Sequence, residues 1–105
     1  MTDLARITSM AELRREIDAH DRGIVAALVR RAAMIDRAAE LKPAEGLPAR
    51  IGPRVEAVVE NVRAAAVEGG LDPDLVERLW RELIEWSIAR EEKVLGPSGP
   101  EGQGR

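Results

Sequence analysis

The stretch "LVRRAAMIDRAAELK", Leu28 to Lys42, holds no Pro or Gly, and alanines fill the gaps between its apolar residues. That composition reads as helix. Arg31 and Lys42 nevertheless fall where an apolar stripe should run. Working outward, Met10, Leu13, Ile17, Ile24, Leu28, Ile35 and Leu41 keep a broadly three/four spacing. Ser9, with Glu12 three residues on, fits a capping box. The pattern predicts one helix from about Ser9 to about Leu41. Gly23 weakens it by roughly 1 kcal/mol relative to Ala without having to end it.

Such a helix is too long for its chain. About 32 residues at 1.5 Å each span roughly 48 Å. A globule of 105 residues has a radius of gyration near 13 Å, hence a diameter of about 33 Å. The shorter helices of one chain cannot cover that rod, so a homodimer with interleaved long helices is expected. A break at Gly23 into two helices is the simpler alternative.

Pro43, Gly46 and Pro48 make residues 42–50 a loop, expected to be mobile and to close over a ligand. A second helix starts near Gly52, with Pro53 in its first turn and an apolar face of Val55, Val58, Val59 and Val62. Gly69 and Gly70 end it. Asp72 and Pro73 start a third helix, carrying Val76, Leu79, Trp80, Leu83, Ile84, Ile88 and Val94, which stops at Gly96–Pro97. The expected organisation is an N-terminal extension (1–8), a helical domain (9–95) and a tail (96–105) with the composition of disorder. Two Trp with no Phe or Tyr leave a core of Leu, Ile, Val, Ala and Met, which favours packed helices over a sheet.

The net charge of −3 argues against a general nucleic-acid binder. Without cysteine and with one His, the chain has neither a disulfide framework nor a Cys- or His-rich metal site. No apolar run is long enough for a signal peptide core or a membrane span, so a cytoplasmic location is expected.

Arg31 and Lys42 are eleven residues apart. On a helix they lie within about 20° of one face and about 16 Å apart along the axis, room for a small molecule between them. Arg14 also borders the stripe, about 25 Å from Arg31. One chain cannot bring both to one small ligand, but Arg14 of one chain could meet Arg31 of another in an antiparallel dimer. Ser87 and Glu91 interrupt the row Val76, Trp80, Leu83, Ser87, Glu91, Val94. Singly, each has a bland explanation. An Arg beside apolar surface snorkels, Ser87 is small enough simply to pack, Glu91 lies in the charged run "REEK", and His20 fits a helix interface. Together they are harder to dismiss. Buried cations need anionic partners, and a carboxylate ligand matches the arginine fork.

"LRREIDAHDRGIVAALVRR", "AAELK", "PRV" and "GLDPDLVERLWRELIEWSIAREEK" resemble the all-helical chorismate mutase family, which includes the isochorismate pyruvate lyases. The resemblance covers about residues 10–95. It rests on the Arg-x-x-Ile-Asp-x-x-Asp opening, the step from Arg31 to Lys42 and the Gly-Leu-Asp start of the last helix. It implies an all-α fold: three helices per chain in an intertwined homodimer with sites shared between chains. The implied substrate is a small enol-pyruvyl ether with two carboxylates. Arg14 from the partner chain, with Arg31 and Arg54, would bind the carboxylates. Lys42 would donate to the ether oxygen, Ser87 would be a lesser polar contact, and Glu91 would stand at the second ether-oxygen donor. The implied chemistry is pericyclic, without cofactor, metal or covalent intermediate.

Val55 replaces a Glu that contacts the ring hydroxyl in many chorismate mutases. This and "EW-x-IA" resemble the lyases, whereas Glu91 replaces the Gln those lyases generally carry. Rearrangement of chorismate to prephenate is the leading expectation. Isochorismate pyruvate lyase, giving salicylate and pyruvate, stays open, as do a 4-amino-4-deoxychorismate mutase and a non-catalytic helical dimer or regulatory module.

Overall fold

The computed structural model describes residues 3–98. After a short 3-10 turn, Leu4–Arg6, come three helices: α1 (Met10–Glu45), α2 (Gly52–Gly69) and α3 (Pro73–Leu95). No strand occurs among the described residues, so the fold is all-α as expected.

The helix ends follow local chemistry. Ser9 Oγ accepts from the Glu12 amide at 3.1 Å, and the Glu12 carboxylate reaches back to the Thr8 amide at 3.4 Å. One amide left over at the helix start, that of Glu12, is thereby engaged, and the amide of Thr8 just before the cap is tied to the Glu12 side chain. Gly70, at φ 76°, occupies the left-handed region, and the amides of Gly70 and Leu71 close onto Val67 and Ala66. That pattern ends α2 where glycine alone is unstrained. Asp72 then caps α3 by accepting from the Asp74 amide at 2.9 Å. One boundary differs from expectation. α1 runs through Lys42 and Pro43 to Glu45. Pro43 sits in the last turn, where its missing amide costs one intrahelical bond without stopping the helix.

The chain divides into two compact units, Met1–Ala33 and Met34–Arg105. In the first, none of the described residues is buried. Met10, Ile17, Ile24, Val25, Leu28 and Val29 are all exposed large apolar side chains. In the second, α2 packs on α3 around Ala49, Val59, Ile84 and Ile88, with Val55, Val58, Trp80 and Leu95 against them. Val94, expected on the packed row of α3, is 71% exposed. Arg81 bridges Glu56 of α2 and Glu77 of α3, and Arg63 reaches Asp74 and Glu77. These groups are largely exposed, so they orient the helices more than they stabilise them.

Of the loop expected over residues 42–50, residues 42–45 belong to α1, and the remainder carries specific contacts. Ala49 is buried in the core cluster, its carbonyl accepts from Lys42, and the Arg50 amide donates to Ser98. Of the expected tail, Gly96, Pro97 and Ser98 are described, and Ser98 is buried; residues 99–105 lie outside the described residues.

Candidate active site

Two of the expected site residues meet. Lys42, in the last turn of α1, places Nζ 2.6 Å from Glu91 Oε1 of α3. Both side chains are largely withdrawn from solvent, 16% and 6% exposed respectively. Nζ also donates to the Ala49 carbonyl at 2.8 Å. The Glu91 contact is an ion pair without hydrogen-bond alignment. Oε1 is buried and accepts no aligned bond, because the ammonium approaches off the line that such a bond requires.

An ammonium carries three donors that turn together about the Cε–Nζ bond. One direction is taken by Ala49 and a second charge contact by Glu91. Lys42 is thus held by groups at its tip instead of sweeping through solvent. A solvated place for Glu91 within "REEK" does not describe it, since the residue is only 5% exposed.

Ser87 stands one turn before Glu91, is buried, and donates from Oγ to the Leu83 carbonyl at 2.8 Å. Arg54 is exposed in the first turn of α2. Val55, beside it, packs against the core cluster. In the Met1–Ala33 unit, Arg14 is exposed and Arg31 partly buried on α1. Their 17-residue separation on one helix corresponds to about 25 Å, so the structure does not bring these two cations together within a chain.

Near the pair, Arg90 grips Asp36 with two bonds of 2.6 and 2.9 Å and lies 5.3 Å from the Trp86 ring centre. The hydrogen bonds from Arg90 hold the Asp36 carboxyl below its ordinary range, against the opposing effect of desolvation. This clamp ties α1 to α3 one position before Glu91 and has no counterpart in the sequence reading. Nor have the Ala49 carbonyl and Ser98, which sequence reasoning missed. A backbone acceptor leaves no signal in residue type, and the Gly96–Pro97 punctuation read as a helix end gave no sign of a turn back onto the loop. Among the described residues no group of three or more His, Asp or Glu side chains is arranged to hold a metal.

The arrangement presents a fixed, partly dehydrated cation with a carboxylate beside it. It can stabilise an oxygen that gains negative charge as a bond to it breaks.

Comparison with known proteins shows the family. A family model described as chorismate mutase type II matches residues 13–92. The chain is 38% identical over 87 residues to the isochorismate pyruvate lyase of Pseudomonas aeruginosa, covering 82% of this chain and 84% of that protein. It is 29% identical over 83 residues to the T-protein of Haemophilus influenzae, covering 79% of this chain but 22% of that protein.

Proposed function

The chain belongs to the chorismate mutase type II family, and from that premise we propose that it rearranges chorismate to prephenate in sites shared between two chains. The observation that carries the reading is the Lys42–Glu91 pair. In the reaction the ether C–O bond breaks while a C–C bond forms within the same molecule. Electrons move toward the ether oxygen, and no proton, cofactor or nucleophile is needed.

Lys42 donates to that oxygen. Its tip is already fixed, so little reorganisation accompanies the charge as it develops. Glu91 stands beside the same oxygen and supports the reaction as a donor only when it carries a proton. Arg31 and Arg54 of one chain and Arg14 of its partner bind the two carboxylates and hold the reactive conformer. Ser87 adds a polar contact. Residues 9–95 form the catalytic domain.

The shared site requires a dimer. Support comes from the Met1–Ala33 unit, where α1 leaves Met10, Ile17, Ile24 and Leu28 exposed at helical spacing. A surface of that kind calls for an apolar partner, and a second copy of the same helix supplies one.

A second reading has specific support. Val55 gives no polar contact to a ring hydroxyl, and the similar Pseudomonas aeruginosa protein is an isochorismate pyruvate lyase. The same cation would then assist elimination of pyruvate from isochorismate, leaving salicylate. Both readings place the breaking C–O bond at Lys42. The test is Lys42→Ala: turnover should fall by about a hundred-fold or more, as when a single oxyanion donor is lost. Turnover within a factor of two of the unaltered protein would remove Lys42, and with it this mechanism.

A further inference from the structure

One peptide unit carries contacts at both ends. The bond joining Ala49 and Arg50 presents its carbonyl to Lys42 Nζ at 2.8 Å and its amide to Ser98 Oγ at 2.9 Å. The described backbone has no cis peptide bonds. In a planar trans unit the carbonyl and the amide point opposite ways, and neither can turn without the other. The unit therefore acts as a rigid link between a serine after α3 and the ammonium in the last turn of α1.

Ser98 is itself fixed. Gly96, at φ 84°, takes a conformation that side chains disfavour, and its amide closes α3 on the Glu92 carbonyl at 2.8 Å. The chain then turns so that the Ser98 amide donates to the Glu92 carboxylate at 3.0 Å. Ser98 is 4% exposed. On the other side, the Arg50 guanidinium holds Glu85 of α3 through both terminal nitrogens, and Ala49 and Leu95 pack in one cluster. The polar anchors of the link beyond Lys42 thus come from α3 or the three residues that follow it, while Ala49 also packs against Val59 of α2. A hydrogen bond accepted from the amide also polarises the unit and makes its carbonyl a better acceptor.

We propose that Ser98 is a positioning residue for Lys42, acting through the Ala49–Arg50 peptide unit. The role rests on the reading of Lys42 as donor to the breaking bond. It gives the segment Gly96–Ser98 a function that its composition conceals. Loss of the hydroxyl removes one restraint on the peptide unit and loosens the carbonyl that aims the ammonium.

The test uses full-length Ser98→Ala and Ser98→Thr, with Lys42→Ala measured alongside. In Ser98→Ala, hydrogen exchange at the Arg50 amide should rise about five-fold, the factor for one ordinary hydrogen bond. With whichever of chorismate and isochorismate the unaltered protein turns over, kcat should fall about five-fold while KM stays nearly constant, because Lys42 acts as charge develops and not on ground-state binding. Ser98→Thr keeps the hydroxyl and should restore both values. Faster exchange with unchanged kcat would overturn the positioning role, as would a threonine variant no better than alanine. If Lys42→Ala retains full turnover, the reading of Lys42 fails and the inference falls with it. If Lys42→Ala is inactive and Ser98→Ala is not, only the role of Ser98 is lost.

Discussion

Replacing Lys42 by methionine isolates the energetics of the central pair. The substitution keeps the unbranched stem and removes the charge. Glu91 is then left with a buried oxygen that has no aligned hydrogen bond. Across 2.6 Å, at an effective dielectric of about 20, two unit charges attract by roughly 6 kcal/mol. Desolvation of the two ions offsets much of that, so the pair as a whole stabilises little relative to an apolar replacement. Removing one partner is different, because the other charge keeps its desolvation cost and loses the attraction. Lys42 retains 16% exposure, which favours the lower end of the usual range, about 3 kcal/mol. Lys42→Met/Glu91→Leu removes both charges and should recover most of this loss. Urea unfolding at neutral pH and fixed protein concentration measures each corner of the cycle. Lys42→Met costing less than about 1 kcal/mol, with no coupling to Glu91, would show that Glu91 is not a buried charge held by Lys42.

Three further outcomes are expected. Arg14→Ala and Arg31→Ala chains, each inactive alone, should regain activity when mixed, since one site of each heterodimer then has both arginines; no recovery despite demonstrated chain exchange would exclude a partner-chain role for Arg14. Asp36, Glu56, Glu77 and Glu85 all have carboxyls lowered mainly by hydrogen bonds from Arg90, Arg81, Arg81 and Arg50 respectively. Folding lowers these values, so their contribution is complete above the unfolded-state range and lost as pH falls through the folded-state values; Tm should be level above about pH 5 and decline below about pH 4, and a flat Tm down to pH 2.5 would contradict the pairing. Glu91→Gln keeps a side chain of similar size but supplies a neutral donor in place of the carboxylate, so it should raise turnover near neutral pH; turnover within a factor of two of the unaltered protein would place Glu91 outside the chemistry.

Much of the architecture was legible because helix ends carry local signals. Gly69–Gly70, Asp72–Pro73 and Gly96 each mark a boundary that the backbone obeys. The end of α1 was misjudged because Pro43 reads as a breaker, yet a proline in a last turn gives up one bond only. Periodicity put Val94 on the packed row, but near the end of α3 it projects into solvent. Lys42 and Glu91 were both singled out as polar interruptions of apolar rows. Their closeness followed only from the resemblance, which puts both at one ether oxygen, since a pairing across 49 positions has no periodic signature. Ser98 illustrates the opposite limit. Its neighbours are Gly and Pro, which is the composition of an unstructured tail, while its burial depends on a turn and an acceptor supplied by the Ala49–Arg50 loop.

The most direct measurement is product identification after separate incubation with chorismate, 4-amino-4-deoxychorismate and isochorismate, with Lys42→Ala as control. The proposed function predicts prephenate from chorismate without release of pyruvate, and no product from the control above the uncatalysed rate. Salicylate and pyruvate from isochorismate alone would transfer the assignment to the lyase, and a 4-amino product alone would assign the 4-amino-4-deoxychorismate mutase. No product from any of the three, by a folded dimer, would contradict the claim that the Lys42–Glu91 pair is the centre of a pericyclic active site.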